Sequence, residues 1–203
     1  MIVIHTDNPQ IRLIRQVVEK IRAGGVIAYP TDSSYALGCA MGERKAIDII
    51  SRIRQVDKNH NYTLVMRDLG ELATYAKVPN AAFRIIKSFT PGPYTFILDA
   101  TREVPRRLMN PKKKTIGVRI PDNKIALALV AELGQPLMTA TLQLPGEEYP
   151  MTDPYEIEAV LGHQITEVID GGYCGLEATS VIDMSGDTPV VIREGKGEVS
   201  LFV

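Results

Sequence analysis

Segments with a helical period alternate with short apolar runs along the whole chain, and this alternation restricts the fold class more than any other feature. The first segment has apolar residues at three- and four-residue spacing, namely Ile11, Ile14, Val17, Val18 and Ile21. This spacing predicts an amphipathic helix that Asn8 caps and Pro9 opens. Gly24-Gly25 ends it, and residues 26–29 then form an apolar run typical of a buried strand. A helix that leads into a buried strand is the repeating unit of α/β folds.

The rest of the chain continues this alternation. The same criteria predict helices at residues 44–54, 69–76, 80–89, 123–133 and 154–161, the last of them capped by Asp153. They predict further strands at residues 62–66, 94–98, 115–120, 136–140, 167–169, 179–183 and 190–193. No internal repeat, low-complexity tract or linker interrupts the series. We therefore expect one α/β domain over residues 1–203.

Composition argues against several classes of protein. The chain has no long apolar run and no basic N-terminal segment followed by an apolar one, so it predicts neither a membrane span nor a secretory signal. A cytoplasmic protein without a membrane partner is the expectation. Cys39 and Cys174 lie far apart with no cysteine or histidine cluster beside them, so we expect no metal site and no disulfide. Both cysteines are predicted to be buried as small apolar side chains.

The net charge of −1 conceals an uneven distribution of charge along the chain. Residues 1–146 hold 21 Lys and Arg against 12 Asp and Glu, whereas residues 147–203 hold 2 against 12. Two interpretations remain open. Either folding intermixes the two parts, or the basic part forms a concave face for an anionic ligand.

Side chains with hydroxyl groups gather at the ends of three predicted strands. They are Thr31 with Ser33 and Ser34, Thr139 with Thr141, and Thr179 with Ser180. Hydroxyls both donate and accept hydrogen bonds, which suits a ligand that carries carboxylate, ammonium and phosphate groups together. The alternative is that threonine and serine occur here only because they favour strands and turns.

Basic side chains form the other candidate sites. Arg119 and Arg193 each end a predicted strand, where a guanidinium is able to make a two-pronged contact with a carboxylate or a phosphate. Arg52, Arg54 and Lys58 lie around the end of the second helix and form a candidate phosphate clamp. Each of these residues is alternatively a solvated ion-pair partner. The chain has no known phosphate-binding loop motif and no recognisable pair of nucleophile and base, so the catalytic residues stay unassigned.

Six segments resemble, in order, the signatures of the YrdC/YciO family. Residues 29–39 resemble its PTETVYGLG, 90–98 its PGPLTLIL, 116–121 its VRxP, 170–172 its DGG, 179–183 its STVVD and 191–195 its ILRPG. The amino-acid sequence at residues 60–64, 105–108 and 193–195 is most similar to that of the YciO branch.

This resemblance implies a single YrdC-like domain over residues 1–203, with a twisted mixed β-sheet flanked by helices around an open, positively charged concave pocket. It also implies a nucleotidyltransferase that makes threonylcarbamoyl-adenylate from L-threonine, bicarbonate and ATP and releases pyrophosphate. The product supplies the threonylcarbamoyl group for the N6 modification of an adenosine in tRNA. ATP would be a substrate accompanied by Mg²⁺, and no cofactor would be tightly bound.

Carried over by position, the family's ligand contacts fall on two sets of residues. Threonine would be bound by Thr31, Arg119, Thr139 and Thr179. ATP would be faced by Thr115, Thr141 and Arg193. The further candidate nucleotide-binding residues are Arg54, Lys58, Gln143 and Ser180, together with Arg52, which matches the family pattern only if the register shifts.

The departures from the family pattern lie on the nucleotide side. Counted without a gap, the lysine of the family's KxR falls on Arg54 and its arginine on Val56, while its SxN becomes Thr141 and Gln143. A positive charge lost near the triphosphate would cost about 2–4 kcal/mol in the transition state that releases pyrophosphate. We therefore expect a weak activity or a different reaction.

Three functions remain open on this basis. The first is a weak threonylcarbamoyl-adenylate synthase, the second a module that binds double-stranded RNA or tRNA without that chemistry, and the third an enzyme that uses a nucleotide with another carboxylate or carbamate substrate. The second depends on a basic run whose candidate RNA-binding residues are Arg106, Arg107, Lys112, Lys113 and Lys114. Clustered charge is sufficient for phosphate contacts, although the same run is alternatively a solvated loop.

Overall fold

Helices and strands alternate along the chain in the computed structural model, which describes residues 1–56, 60 and 62–203. The helices are α1 (Ile11–Arg22), α2 (Arg44–Arg54), α3 (Leu72–Tyr75), α4 (Asn80–Phe89), α5 (Lys124–Leu133) and α6 (Pro154–Leu161). The strands are β1 (Ile2–Val3), β2 (Ile27–Tyr29), β3 (Ala36–Ala40), β4 (Thr63–Val65), β5 (Ala76–Lys77), β6 (Tyr94–Ala100), β7 (Thr115–Arg119), β8 (Leu137–Thr141), β9 (Glu167–Asp170), β10 (Ser180–Asp183) and β11 (Val190–Arg193).

Most predicted elements are present, and α2, α4 and α6 begin and end where the sequence pattern places them. The start of α1 was predicted wrongly. The helix begins at Ile11 with Gln10 at its N-cap, and Asn8 lies before it because its backbone N–H donates to His5 Nδ1 at 3.0 Å. The predicted cap of α6 is confirmed, since the Asp153 side chain accepts a hydrogen bond from the backbone of Tyr155.

Three strands were not predicted from the sequence. β1 and β5 contain two residues each, which is too short for a periodic signal. β3 is buried on both faces and therefore shows no alternation of polar and apolar residues. The predicted helix over residues 69–76 is in fact a 3-10 turn followed by α3 and the first residue of β5.

The described strands form a mixed sheet in the order β1-β9-β2-β3-β8-β4-β7-β6-β10-β11, with β5 paired to β6. β4 runs parallel to β7 and β6 runs parallel to β10, whereas β3 and β4 are antiparallel to β8. The mixed α/β class expected from the sequence is therefore confirmed.

The helices cover the two faces of this sheet unequally. One face packs along its length against apolar side chains of α2, α4 and α6. The other face is covered by α1 and α5, which contact each other and pack on β9, β2, β3 and the adjoining ends of β4 and β8. The strands beyond them leave this second face open. A concave surface results on the open half of the sheet.

The predicted burial of the two cysteines is confirmed for only one of them. Cys39 is buried in β3, as predicted, but Cys174 is only half-buried because it lies in the loop after β9. No helix among residues 1–56, 60 and 62–203 combines the length and the apolar character needed to cross a membrane.

Gly38 allows a buried tyrosine to reach across β3. Tyr29 on β2 shares a 2.6 Å hydrogen bond with Thr139 on β8, although β3 lies between these two strands. A Cβ atom on Gly38 would lie 2.9 Å from the Tyr29 ring and 2.7 Å from the Leu137 side chain. Both distances are too short for real contacts, and the fully buried tyrosine has little room to move.

We expect Gly38→Ala to lower the free energy of unfolding by about 1–3 kcal/mol, because the methyl group overpacks this crossing. Gly42→Ala is the matched control, since a Cβ atom there meets nothing within 4 Å and should change stability by less than about 0.5 kcal/mol. Urea unfolding of both variants measures the difference. Equal stability would show that the Tyr29 crossing tolerates a side chain at Gly38.

Candidate functional site

A cavity of about 550 Å³ occupies the open half of the sheet. Its lining contains five threonines, namely Thr63, Thr95, Thr139, Thr141 and Thr179. It also contains Arg54, His60 and Arg193, and no aspartate or glutamate among the residues that the structure describes. The volume suits a ligand of the size of a nucleotide or a metabolite.

The alternation of side chains along the strands explains why hydroxyls converge here. Thr63 on β4 pairs in register with Thr139 on β8 on one side and with Gly117 on β7 on the other. Ile97 on β6 pairs with Gly117 in turn. Residues in register across neighbouring strands point to the same face, so these positions form one row across the cavity floor.

Gly117 lies in the middle of this floor. A Cβ atom there would lie 2.6 Å from Thr63 Oγ1 and 3.1 Å from Thr95 Cγ2. Any other residue would therefore push the two threonines apart or project into the cavity. The glycine therefore leaves the space above the cavity floor free of a side chain at this position.

Thr139 presents an acceptor to the cavity. Its hydroxyl donates to the backbone oxygen of Leu37 at 3.1 Å, so the 2.6 Å contact with Tyr29 must have the tyrosine as donor. Burial raises the pKa of Tyr29 to about 12, and the phenol stays protonated at neutral pH. One lone pair of Thr139 then remains for a donor such as an ammonium or a hydroxyl group.

Thr179 fixes the orientation of Arg193. The guanidinium donates from Nε to the Thr179 backbone oxygen at 3.0 Å and from Nη2 to its Oγ1 at 3.1 Å. Thr95 contacts the same hydroxyl at 2.9 Å. One edge of Arg193 is thus held by the protein, and the remaining nitrogen is available to a ligand. Partial burial and the nearby charge of Arg119 lower the pKa of Arg193.

Arg54 is an arginine whose hydrogen-bonding capacity is only partly used. Its Nη1 donates to the backbone oxygen of Gln143 at 2.9 Å, but its Nε is buried and has no partner among the described residues. Burial and the nearby charge of Arg193 both lower the pKa of Arg54. Two neighbouring cations in a cavity that has no acidic side chain among the described residues would favour an anionic ligand.

The predicted threonine site is only partly assembled in the cavity. Thr139 and Thr179 line it, whereas Thr31 and Arg119 are buried beside it and do not line it. The Thr31 hydroxyl donates to Ser34 O at 2.6 Å and accepts from the backbone N–H of Ser33 at 3.1 Å. It is therefore occupied in stabilising its own turn. Arg119 forms a buried ion pair that the sequence did not reveal.

The predicted nucleotide residues are divided in the same way. Arg54, Thr141 and Arg193 line the cavity. Of the others, Arg52 is exposed on α2 and Thr115 is buried opposite Asp99, and neither lines the cavity. Ser180 and Gln143 do not line it either, because Ser180 donates its hydroxyl to Gly197 O and Gln143 donates its side-chain amide to Glu147 O. Lys58 lies outside the described residues.

Several cavity residues were not identified from the sequence. Thr63 is the first residue of β4, whereas Thr95 and Gly117 lie inside β6 and β7, away from the strand ends at which the hydroxyl clusters were predicted. Counting every second residue along β4, β6 and β7 would have placed them on one face. The missing information was which half of that face the helices leave uncovered.

The basic residues of the loop between β6 and β7 lie outside the cavity. Arg106, Lys112, Lys113 and Lys114 are exposed, and they make no ion pair within the described part of the chain. Arg107 differs, because it pairs with Asp48 on α2.

Comparison with known proteins identifies the family. A sequence model of the Sua5/YciO/YrdC family, described as "Telomere recombination", matches residues 19–195. The chain belongs to this family. The YciO protein of Escherichia coli is 56% identical over 200 residues, covering 98% of this chain and 97% of its own, and its crystal structure superposes with a TM-score of 0.97.

More distant relatives in the family have named activities or ligands. A threonylcarbamoyl-AMP synthase of Bacillus subtilis is 28% identical over 192 residues, which cover 94% of this chain and 54% of that protein. The crystal structure of Pyrococcus abyssi Sua5 complexed with L-threonine is 27% identical, with a TM-score of 0.87, and covers 96% of this chain and 58% of that one. The chain therefore spans little more than half the length of these two relatives.

We expect Arg54→Met to weaken pyrophosphate binding about tenfold or more, because it removes a desolvated cation from the cavity. Arg52→Met is the matched control, since it removes the same charge two residues away on the exposed face of α2. The stabilisation of each variant by pyrophosphate in thermal unfolding measures the change. Equal losses in both variants would mean that Arg54 is not the anion contact.

Proposed function

We propose that this chain is a nucleotidyltransferase of the threonylcarbamoyl-AMP synthase type. The observation that carries the proposal is the cavity in which Arg54 and Arg193 face a floor of threonines without an acidic neighbour among the described residues. Such a lining complements a ligand that has both a polyphosphate and groups able to exchange hydrogen bonds. Such an enzyme would work in the cytoplasm, where ATP and tRNA are both present.

The relatives support both the proposed type of reaction and the proposed amino-acid substrate. Distant members of the family are threonylcarbamoyl-AMP synthases, and one solved relative is complexed with L-threonine. Their likeness covers nearly the whole of this chain. We therefore propose L-threonine, bicarbonate and ATP as the substrates, with Mg²⁺ bound to the ATP phosphates.

The proposed reaction has two steps. The threonine amino group attacks the carbon of bicarbonate and forms a carbamate with loss of water. A carbamate oxygen then attacks the α-phosphorus of ATP, and pyrophosphate leaves. The cavity residues would orient the reactants, with Thr139 accepting from threonine and with Arg54 and Arg193 binding the phosphates. Fixed cations would stabilise the negative charge that develops on the leaving pyrophosphate.

We expect the purified protein to form threonylcarbamoyl-adenylate slowly and Val56→Arg to accelerate it about tenfold, equivalent to about 1.4 kcal/mol. Val56 follows Arg54 by two residues, at the position of the family arginine, and residues 54 and 60 both line the cavity. Mass spectrometry of the product and pyrophosphate release measure the rate. Val56→Met controls for the change in size.

The outcomes separate the open alternatives. No product with threonine, but product with another amino acid or carbamate, would favour a different substrate in the same cavity. No adenylate with any of them would contradict the proposed enzyme. An unchanged rate in folded Val56→Arg would mean that the missing charge is not what limits the reaction.

A second candidate function is the binding of double-stranded RNA or tRNA. The exposed cations of the loop between β6 and β7 favour it, because Arg106 and Lys112 to Lys114 make no ion pair within the described residues. The backbone N–H groups of Lys112 and Lys113 both donate to the Asn110 side chain, at 3.0 and 2.9 Å, which orders the lysine turn.

If this loop binds RNA, affinity should fall steeply with salt, and replacing Lys112, Lys113 and Lys114 by alanine should flatten the salt dependence by about 1 unit of log–log slope per lost phosphate contact. Arg107→Ala is the control, because its guanidinium is already paired with Asp48 and should contribute less. Duplex-binding titrations at several salt concentrations test this. Salt-independent binding would remove the candidate.

A further inference from the structure

Asp32 forms a buried ion pair with Arg119 beside the cavity. The Asp32 and Arg119 side chains are 10% and 7% exposed. One carboxylate oxygen of Asp32 contacts Arg119 Nη2, and the other accepts from the backbone N–H of Asp122 at 2.9 Å. Both oxygens are therefore used, and the carboxylate is held in a fixed orientation.

The ion pair with Asp32 uses only part of the hydrogen-bonding capacity of Arg119. Its Nε is buried and has no partner among the described residues. In arginine, Nε and Nη2 form one edge, which is the edge that a carboxylate contacts with two parallel hydrogen bonds. The contact with Asp32 involves Nη2 and not Nε, so this edge does not hold a carboxylate through both of its nitrogens. A single ion pair in this geometry leaves capacity for a second carboxylate group.

Arg119 and Asp32 do not line the cavity but lie beside its floor. Arg119 follows Gly117 by two residues on the same face of β7, a distance of about 7 Å along the strand. Asp32 belongs to the turn after β2, whose last residue, Tyr29, donates to Thr139 in the cavity. Lys196 donates to the backbone oxygen of Asp32 from the other side.

The charges in this corner determine which ligand is accepted. A simple carboxylate that approaches Arg119 meets a guanidinium whose charge is already neutralised by Asp32. If it takes the Nε–Nη2 edge, it displaces one oxygen of Asp32 and leaves that oxygen buried without a donor. A ligand that brings an ammonium group beside its carboxylate provides the missing donor. The ligand carboxylate then contacts the Arg119 guanidinium, and the ligand ammonium contacts the Asp32 carboxylate.

We infer that Asp32 is a specificity-determining residue, which makes this end of the cavity select zwitterionic amino acids over carboxylates that lack an amino group. The inference rests on the proposed function in taking an amino acid as the substrate. The family resemblance already implies a ligand at Arg119, whose Nε–Nη2 edge would take the ligand carboxylate, and the new assignment is that of the ligand ammonium to Asp32.

The test compares amino acids with their deaminated counterparts on the intact chain. Isothermal titration calorimetry measures L-threonine against 3-hydroxybutyrate, L-serine against 3-hydroxypropionate and L-valine against isovalerate. We expect the wild-type protein to bind an amino acid about tenfold or more tightly than its counterpart, because the counterpart leaves a buried charge unpaired. Asp32→Asn should reduce this preference at least tenfold, because the variant should bind the amino acid more weakly and the simple carboxylate more tightly.

Two controls keep the result interpretable. Asp32→Asn retains an oxygen that accepts from the Asp122 backbone, and thermal unfolding shows whether the variant is folded. Asp48→Asn breaks another Asp–Arg pair, with Arg107, away from the cavity and should leave the preference unchanged. If Asp32→Asn fails to fold, the wild-type comparison still decides, since equal binding of an amino acid and its counterpart overturns the inference.

Failure of the proposed function is distinguishable from failure of this inference. Binding of serine or valine but not threonine, with the preference lost in Asp32→Asn, contradicts the proposed substrate and supports the role of Asp32. Threonine binding with the same preference in wild type and Asp32→Asn overturns the role of Asp32 alone. Absence of binding by every amino acid tested overturns both.

Discussion

The incomplete cover of one sheet face is the constraint on which the candidate site depends. α1 and α5 bury this face only over β9, β2, β3 and the nearby ends of β4 and β8. The remaining half faces solvent, where a fully apolar surface would be a site of association or aggregation. Threonines and a glycine on that half keep it wettable, and the same residues form the floor of the cavity.

The arginine side chains in this cavity are partly buried, and this burial has an unfavourable desolvation free energy. Arg54 and Arg193 both have lowered pKa values because of burial and a neighbouring guanidinium, and Arg54 Nε has no partner within the described chain. A structural arginine would normally be paired with an acid. No acid among the described residues forms an ion pair with either of them, an arrangement that would suit a ligand that supplies the negative charge.

The sequence predicted the class of the fold and part of the site. Helical periods identified α2, α4 and α6 with their bounds, since one face of each is apolar and the other polar. The pattern missed β3, whose side chains are buried on both faces. It also missed the ion pair of Arg119 with Asp32, because these residues are distant in sequence and only the sheet order brings them together. Pairing over such distances leaves no periodic signal.

The short turn after β2 connects the two ends of the site. Tyr29, at the end of the strand, orients the hydroxyl of Thr139, and three residues later Asp32 neutralises Arg119. The Thr31 hydroxyl closes the turn between them by bonding to Ser33 and Ser34. Thr31, which is predicted to bind threonine, thus also stabilises the turn in which it lies. Its hydroxyl stabilises the segment that joins Tyr29 to Asp32, and so the neutral acceptor and the negative charge beside the cavity depend on one short turn.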